Sequence, residues 1–151
     1  MAGPNNNNNP RSNYFMQNIQ KSGETFLEYK NSRDIYFDSP SIFRQLSRKQ
    51  IDLERYGHFF QEVNFRDACI SAAQQRALES DIAYNGIVCM IQMYNGNVHP
   101  ATHGVMESHR KASIAYNLIF TYLSEMRRTG DINWLYALVT ELSRPELKNA
   151  I

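Results

Sequence analysis

The sequence predicts an all-α protein, a four-helix-type bundle that carries an extended N-terminal arm. Three observations predict it. Apolar residues recur at spacings of three and four through most of residues 40–143, as they do in helices that bury one face. The strongest run, Val105, His109, Ala112, Tyr116, Ile119, Leu123 and Met126, alternates four and three without a miss, which is a seam for lengthwise packing on a neighbouring helix. Residues 1–13 are the opposite case: Asn5 to Asn9 lie between Pro4 and Pro10, and such a segment has too little to bury to fold alone.

The chain divides accordingly into an arm, 1–38, and a helical domain, 39–151. Within the arm, Tyr14, Phe15, Met16, Ile19, Phe26, Leu27, Tyr29, Ile35, Tyr36 and Phe37 follow no sustained helical period, and Gly23 and Asn31-Ser32 interrupt them. A short helix near 13–21 is compatible with the pattern. Tyr14, Phe15, Phe26, Tyr29, Tyr36 and Phe37 are the aromatic anchors by which the arm is expected to dock on a surface.

The first helix is expected to start at Ser39 as N-cap with Pro40 at the first helical position. Ile42, Leu46 and Leu53 share its face, and Gly57 loosens or ends it. His58-Phe59-Phe60 then forms an apolar connector. The second helix opens at Asn64, with Asp67 three residues on in the manner of a capping box, and runs to Tyr94. Leu78, Ile82, Gly86, Cys89 and Met93 form one stripe, and Ile87, Val88, Met90 and Ile91 fill other faces. A helix apolar nearly all round is buried on several sides. Residues 82–93 are therefore expected to be the central element, and the half with Gln74, Gln75, Arg76, Glu79 and Asp81 the more exposed one. Asn95-Gly96-Asn97 supplies turn chemistry. The third helix carries the 105–126 seam, with Arg127 and Arg128 in its last turn and Gly130 as its C′ residue. Asp131 caps the fourth, whose face is Leu135, Leu138 and Leu142 with Trp134 and Val139 beside it, and Pro145 stops it. The tail from Glu146 to Ile151 has room for one further turn.

Hydrophobic residues make up 42% of the 151, charged residues 21%, and the formal net charge is +1. That is ordinary globular composition for one domain, without the strong field that draws nucleic acid or anionic membrane. No apolar run approaches a membrane span. The N-terminus lacks the charged and apolar regions of a signal peptide, so the expected location is the cytoplasm or a virion assembled there. Cys69 and Cys89, on one helix, would lie ~30 Å apart, far beyond the ~7 Å between Cα atoms that a disulfide allows, so both are read as buried thiols.

Two constellations call for weighing. His99, His103 and Glu107 recur every four residues, with His109 nearby, and two imidazoles and a carboxylate on one helix face can ligate zinc. Pro100, however, puts His99 at or before the helix N-cap, outside that register, so a solvated loop and first turn is the expectation and no metal or other cofactor is assigned. Arg44, Arg48 and Arg55, with Lys49, lie near one face of the first helix and could meet phosphates. Asp52 and Glu54 are close enough to pair with them internally, and no aromatic residues are interleaved to stack on bases. No phosphate loop, nucleophile elbow or HExxH pattern occurs, and no catalytic residue is assigned.

An ordered helical body with an arm that cannot fold alone suggests subunits laced together by their arms. In architecture, over helices 40–143 and arm 1–38, the chain resembles the small helical head–tail connector or ring proteins of tailed bacteriophages. That resemblance implies a structural virion component in a homo-oligomeric ring with protein partners above and below, no membrane and no catalysis. The competing readings are a metal-dependent helical-bundle enzyme using His99, His103 and Glu107, and a nucleic-acid-binding regulator using Arg44, Arg48 and Arg55.

Overall fold

The computed structural model describes residues 32–151, with side chains from Ile35 onward. Over these residues the chain is all-α, with five helices and no strand among them. In order they are α1, Ser32–Ser47; α2, the single turn Leu53–Tyr56; α3, Val63–Met93; α4, Pro100–Thr129; and α5, Asn133–Leu142. A 3-10 turn, Gly57–Gln61, joins α2 to α3 and buries Phe59 and Phe60, the expected apolar connector.

The first helix starts earlier than Ser39 and continues through the proline. Ser39 is fully buried inside α1 rather than capping it, and Pro40 is an interior residue. An interior proline strips the carbonyl four residues back of its donor, at a cost of ~3 kcal/mol or more. That carbonyl belongs to Tyr36. It accepts instead from Ser39 Oγ at 2.8 Å and from Arg76 Nη2 of α3 at 3.0 Å. Side chains replace the missing N–H, and one of them ties α1 to α3, so tertiary structure overrides the local start signal.

Nor does this helix run on to Gly57. It stops at Ser47, and Lys49 takes φ 55°. Ser47 Oγ donates to Leu142 O at 3.3 Å and Ser143 Oγ to Ser47 O at 3.0 Å, so the end of α1 is anchored to the end of α5. Ile51 is thereby turned into the core and Leu53 resumes in α2. The expected capping box at Asn64 is also absent. α3 opens at Val63 after Glu62, with no side-chain cap, and Asn64 already lies within it. Asp67 Oδ1 accepts from Arg66 Nε at 3.0 Å and Arg127 Nη1 at 3.5 Å instead.

The remaining boundaries follow the local chemistry. Asn95 and Gly96 adopt φ 55° and 77°, and the Gly96 N–H closes on Ile91 O at 2.8 Å. Pro100 is the first residue of α4 and His99 its N-cap. Gly130, at φ 73°, donates its N–H to Met126 O at 2.8 Å. Asp131 Oδ1 accepts from the Asn133 N–H at 2.9 Å at the start of α5. Beyond Pro145 the tail makes further turns and buries Leu147.

α3 and α4 form an antiparallel hairpin. Ser113 Oγ donates to Asp81 Oδ1, and Arg127 pairs with Asp67, so a step of fourteen residues along one helix is matched by fourteen along the other. α1 packs on α3, α5 on α4, and α1 touches α5, which clasps the base of the hairpin from both sides. The core there is Phe43, Leu46, Phe60, Phe65, Ile119, Leu123, Met126, Leu135, Leu138 and Leu142 around Ala68, Ala72, Ala73 and Ala77.

Burial along α3 is the reverse of the expectation. Its buried residues, Phe65, Ala68, Cys69, Ile70, Ala72, Ala73, Ala77 and Ser80, all lie in the first half. None of residues 81–112, the end of α3, the turn and the start of α4, is buried. The physical reason is side-chain size. Small residues let α1 and α4 approach α3 closely, so large side chains on those neighbours fill the core, while the large apolar residues of 82–93 stand beyond the reach of α1 and α5. Of the seam, Tyr116, Ile119, Leu123 and Met126 are buried, His109 and Ala112 are half-buried and Val105 is exposed.

Candidate functional site

The aromatic anchors Tyr14, Phe15, Phe26 and Tyr29, and the helix considered at 13–21, lie outside the described residues. Tyr36 and Phe37 are part of α1. Tyr36 is committed to its own fold: its ring lies 4.2 Å beneath the Arg76 guanidinium and its hydroxyl donates to Glu79 Oε2. That carboxylate holds the tyrosine hydroxyl above its ordinary range. Phe37 meets Tyr36 edge-on at 5.7 Å and is 64% exposed.

The histidines are divided between roles. His99 Nδ1 accepts the Ala101 N–H at 3.0 Å, which is N-capping outside the helix register, as Pro100 implied. His103 is exposed in the first turns of α4. Glu107 receives Arg110 Nε at 3.0 Å and Nη2 at 2.9 Å, and that hydrogen bonding keeps its carboxyl below the usual range.

The three arginines do not share one helix face. Arg44 is half-buried in α1 and donates from Nε to Ile151 O at 3.3 Å. Arg48 falls after α1 ends, and Arg55 lies in α2, 5.5 Å above the Tyr56 ring. Among the described residues none of them forms an ion pair with Asp52 or Glu54, so the expected internal pairing is replaced by the break at Ser47. An open cleft of about 410 Å³ lies beside this break, its lining shared between apolar residues, Leu46, Ile51, Leu53 and Val139, and the charged Lys49, Asp52 and Glu54.

The most unusual surface is the outer half of the α3–α4 hairpin. It extends ~20 Å along α3 from Ser80, the last buried residue of that helix, to Met93. Tyr84, Ile87, Val88 and Ile91 are half-buried on the face turned to α4. Opposite that face, successive turns of α3 present Leu78, Ile82, Gly86, Cys89 and Met93 to solvent, with Leu78 58%, Ile82 64% and Met93 75% exposed. Met90, Tyr94 and Val105 add further exposed apolar surface at the tip. The cysteines therefore part company. Cys69 is buried, and burial pushes its thiol far up, while Cys89 lies exposed on the stripe.

This half-hairpin also lacks the charges that keep an exposed helix in water. From Ile82 to Met106 the chain contains no Asp, Glu, Lys or Arg. At 21% charged residues overall, a stretch of this length would carry about five. The stripe itself was legible in the sequence, but as a core. The charge gap, together with the crowding of small residues at 68–80, was the signal that could have marked it as an exposed interaction face. Among the described residues no helix is long and apolar enough to cross a membrane and no group of three or more His, Cys, Asp or Glu side chains is placed to hold a metal. No family model, curated protein or solved structure matches the chain.

Proposed function

We propose that the protein is a non-enzymatic structural subunit of a homo-oligomeric assembly, and that the uncharged outer half of its α3–α4 hairpin is an assembly contact. The observation that carries this reading is a helix apolar nearly all round that, among the described residues, has a neighbour on only one side. Helices of that composition are buried on several sides, and large exposed apolar patches mark association sites. Leu78, Ile82, Cys89 and Met93 are left to a second molecule because they are exposed on the side of α3 turned away from α4. The arm supplies a further contact: Tyr14, Phe15, Phe26 and Tyr29 dock on a neighbouring subunit, where intermolecular burial offsets the entropy of ordering a segment that cannot fold alone. Ring or head–tail connector subunits of tailed phages are the structural class this reading fits by architecture.

Sedimentation of the full-length protein tests it. The expected result is a mass above the 17.5 kDa monomer, returning to the monomer in the double variant Ile82→Glu/Met93→Glu with the helical circular dichroism unchanged. A wild-type chain that sediments as a monomer at every concentration contradicts the reading. The arm is tested by deleting residues 1–31; a cut at 38 would remove Ile35 and Tyr36 from the α1 packing and unsettle the body itself.

A further inference from the structure

We infer that the hairpin's partner is a second copy of this chain, with α3 packed antiparallel on α3 across a two-fold axis at Gly86. The inference rests on the assembly reading above and adds the occupant and its register.

The stripe is self-complementary about one residue. Ile82 and Leu78 lie four and eight positions before Gly86, and Cys89 and Met93 lie three and seven after it. When an identical helix runs the opposite way through Gly86, Ile82 comes opposite the partner's Cys89 and Leu78 opposite the partner's Met93. Each of these contacts is then made twice, once by each copy, as in an isologous interface. The partner's turn at Asn97 comes level with Gln75, which is exposed and uncharged.

Gly86 itself has no explanation among the described residues. It lies mid-helix, where glycine is unfavourable. A Cβ built there meets nothing within 4 Å, and its φ is not in the left-handed region. A crossing helix gives it a role, since a missing side chain at the crossing lets two backbones approach. The charge gap points to a like partner as well. In a two-fold contact any charge near the axis faces its own copy, and like charges placed opposite one another are destabilising. Residues 82–106 carry no Asp, Glu, Lys or Arg to do so.

The register is read by cross-linking the full-length protein. In Ile82→Cys, the new thiol and Cys89 are ~10 Å apart along one helix, beyond disulfide reach, whereas each faces the other residue across the proposed axis. Mild oxidation should give a covalent dimer, which should disappear in Ile82→Cys/Cys89→Ser. In the wild type the two Cys89 residues lie ~9 Å apart along the paired helices, so it should remain uncross-linked under the same treatment. Gly86→Leu should raise the dimer dissociation constant at least tenfold while leaving helix content intact. An oligomer in which Ile82→Cys fails to cross-link, or cross-links equally well without Cys89, overturns this register and leaves the assembly reading standing. A tighter dimer in Gly86→Leu overturns the crossing at that residue. A wild-type monomer at all concentrations overturns both readings.

Discussion

The two halves of the α3–α4 hairpin are built from the same two helices and differ in nearly everything else. The base half of α3 is rich in small residues, Ala68, Ala72, Ala73, Ala77 and Ser80, and is buried. The outer half is rich in large ones, Ile82, Ile87, Val88, Met90, Ile91 and Met93, and none of them is buried. The lesson is that hydrophobicity marks what must be covered, whereas the number of neighbours within the chain decides whether the same molecule covers it. At the base α1 and α5 pack on α3 and α4, so small residues suffice to close the gap. At the tip, among the described residues, each helix has one neighbour, and its remaining apolar faces are exposed.

The sharpest way to break this contrast is to truncate one large residue from each half. Leu123, fully buried at the base, should cost ~2–5 kcal/mol as Leu123→Ala. Ile82→Ala, on the exposed stripe, should change the unfolding free energy of the monomeric form by less than about 0.5 kcal/mol. Chemical denaturation in a monomeric background that keeps Ile82, Leu78→Glu/Met93→Glu, gives both values. Equal losses would mean that the tip is part of the core.

A smaller effect is expected where α1 clasps the base. Arg76 donates to Tyr36 O and to Ser39 Oγ, at 3.0 and 3.2 Å, and covers the Tyr36 ring. Arg76→Ala removes a charged donor from the carbonyl that Pro40 cannot serve, so stability should fall by ~1.5–3 kcal/mol. Replacing Pro40 by Ala in that background should recover part of the loss, because the restored N–H supplies Tyr36 O from within the helix. Denaturation midpoints of the two variants decide it, and no recovery would mean that Arg76 acts through the ring contact alone.

The base should also respond to alkali in a way that the tip does not. Burial raises the folded-state pKa of Cys69 and of Tyr116. A raised folded pKa means stability that is fully present below the unfolded value and lost as pH rises beyond it. Unfolding free energy should therefore decline above about pH 9, first through Cys69 and then, above about pH 10, through Tyr116. Cys69→Ala should remove the earlier part of the decline, while Cys89→Ala should leave the profile in place. The smallest expected effect is a gain. Gly86→Ala in the same monomeric background should stabilise the chain by up to ~1 kcal/mol through helix propensity, since the added Cβ meets nothing within 4 Å.

Much of the fold was legible because helix ends and faces follow local chemistry. Gly130, Pro100 and Asn95-Gly96 end or begin helices where turn and cap preferences put them, and Leu135, Leu138 and Leu142 face inward as their spacing implied. What local chemistry could not give was set by distant partners. Arg76 lies in a helix later in the chain, yet it is what lets α1 run through Pro40. The end of α5 is what holds α1 at Ser47. The stripe at 78–93 was recognised by its period, but a period does not say whether the facing surface belongs to the same chain. Only the exposure of the stripe in the folded helices answers that, and the absence of charge from Ile82 to Met106 is a local trace of the answer.

Hydrogen exchange on the full-length protein tests the central claim most directly, because it reads the two halves side by side. In the assembled wild type, amides of residues 82–93 should be protected to an extent approaching those of 68–80. In Ile82→Glu/Met93→Glu the outer half should lose that protection while the base keeps it. Outer-half amides that exchange equally fast in both proteins would contradict the account, since they would show that nothing covers the tip.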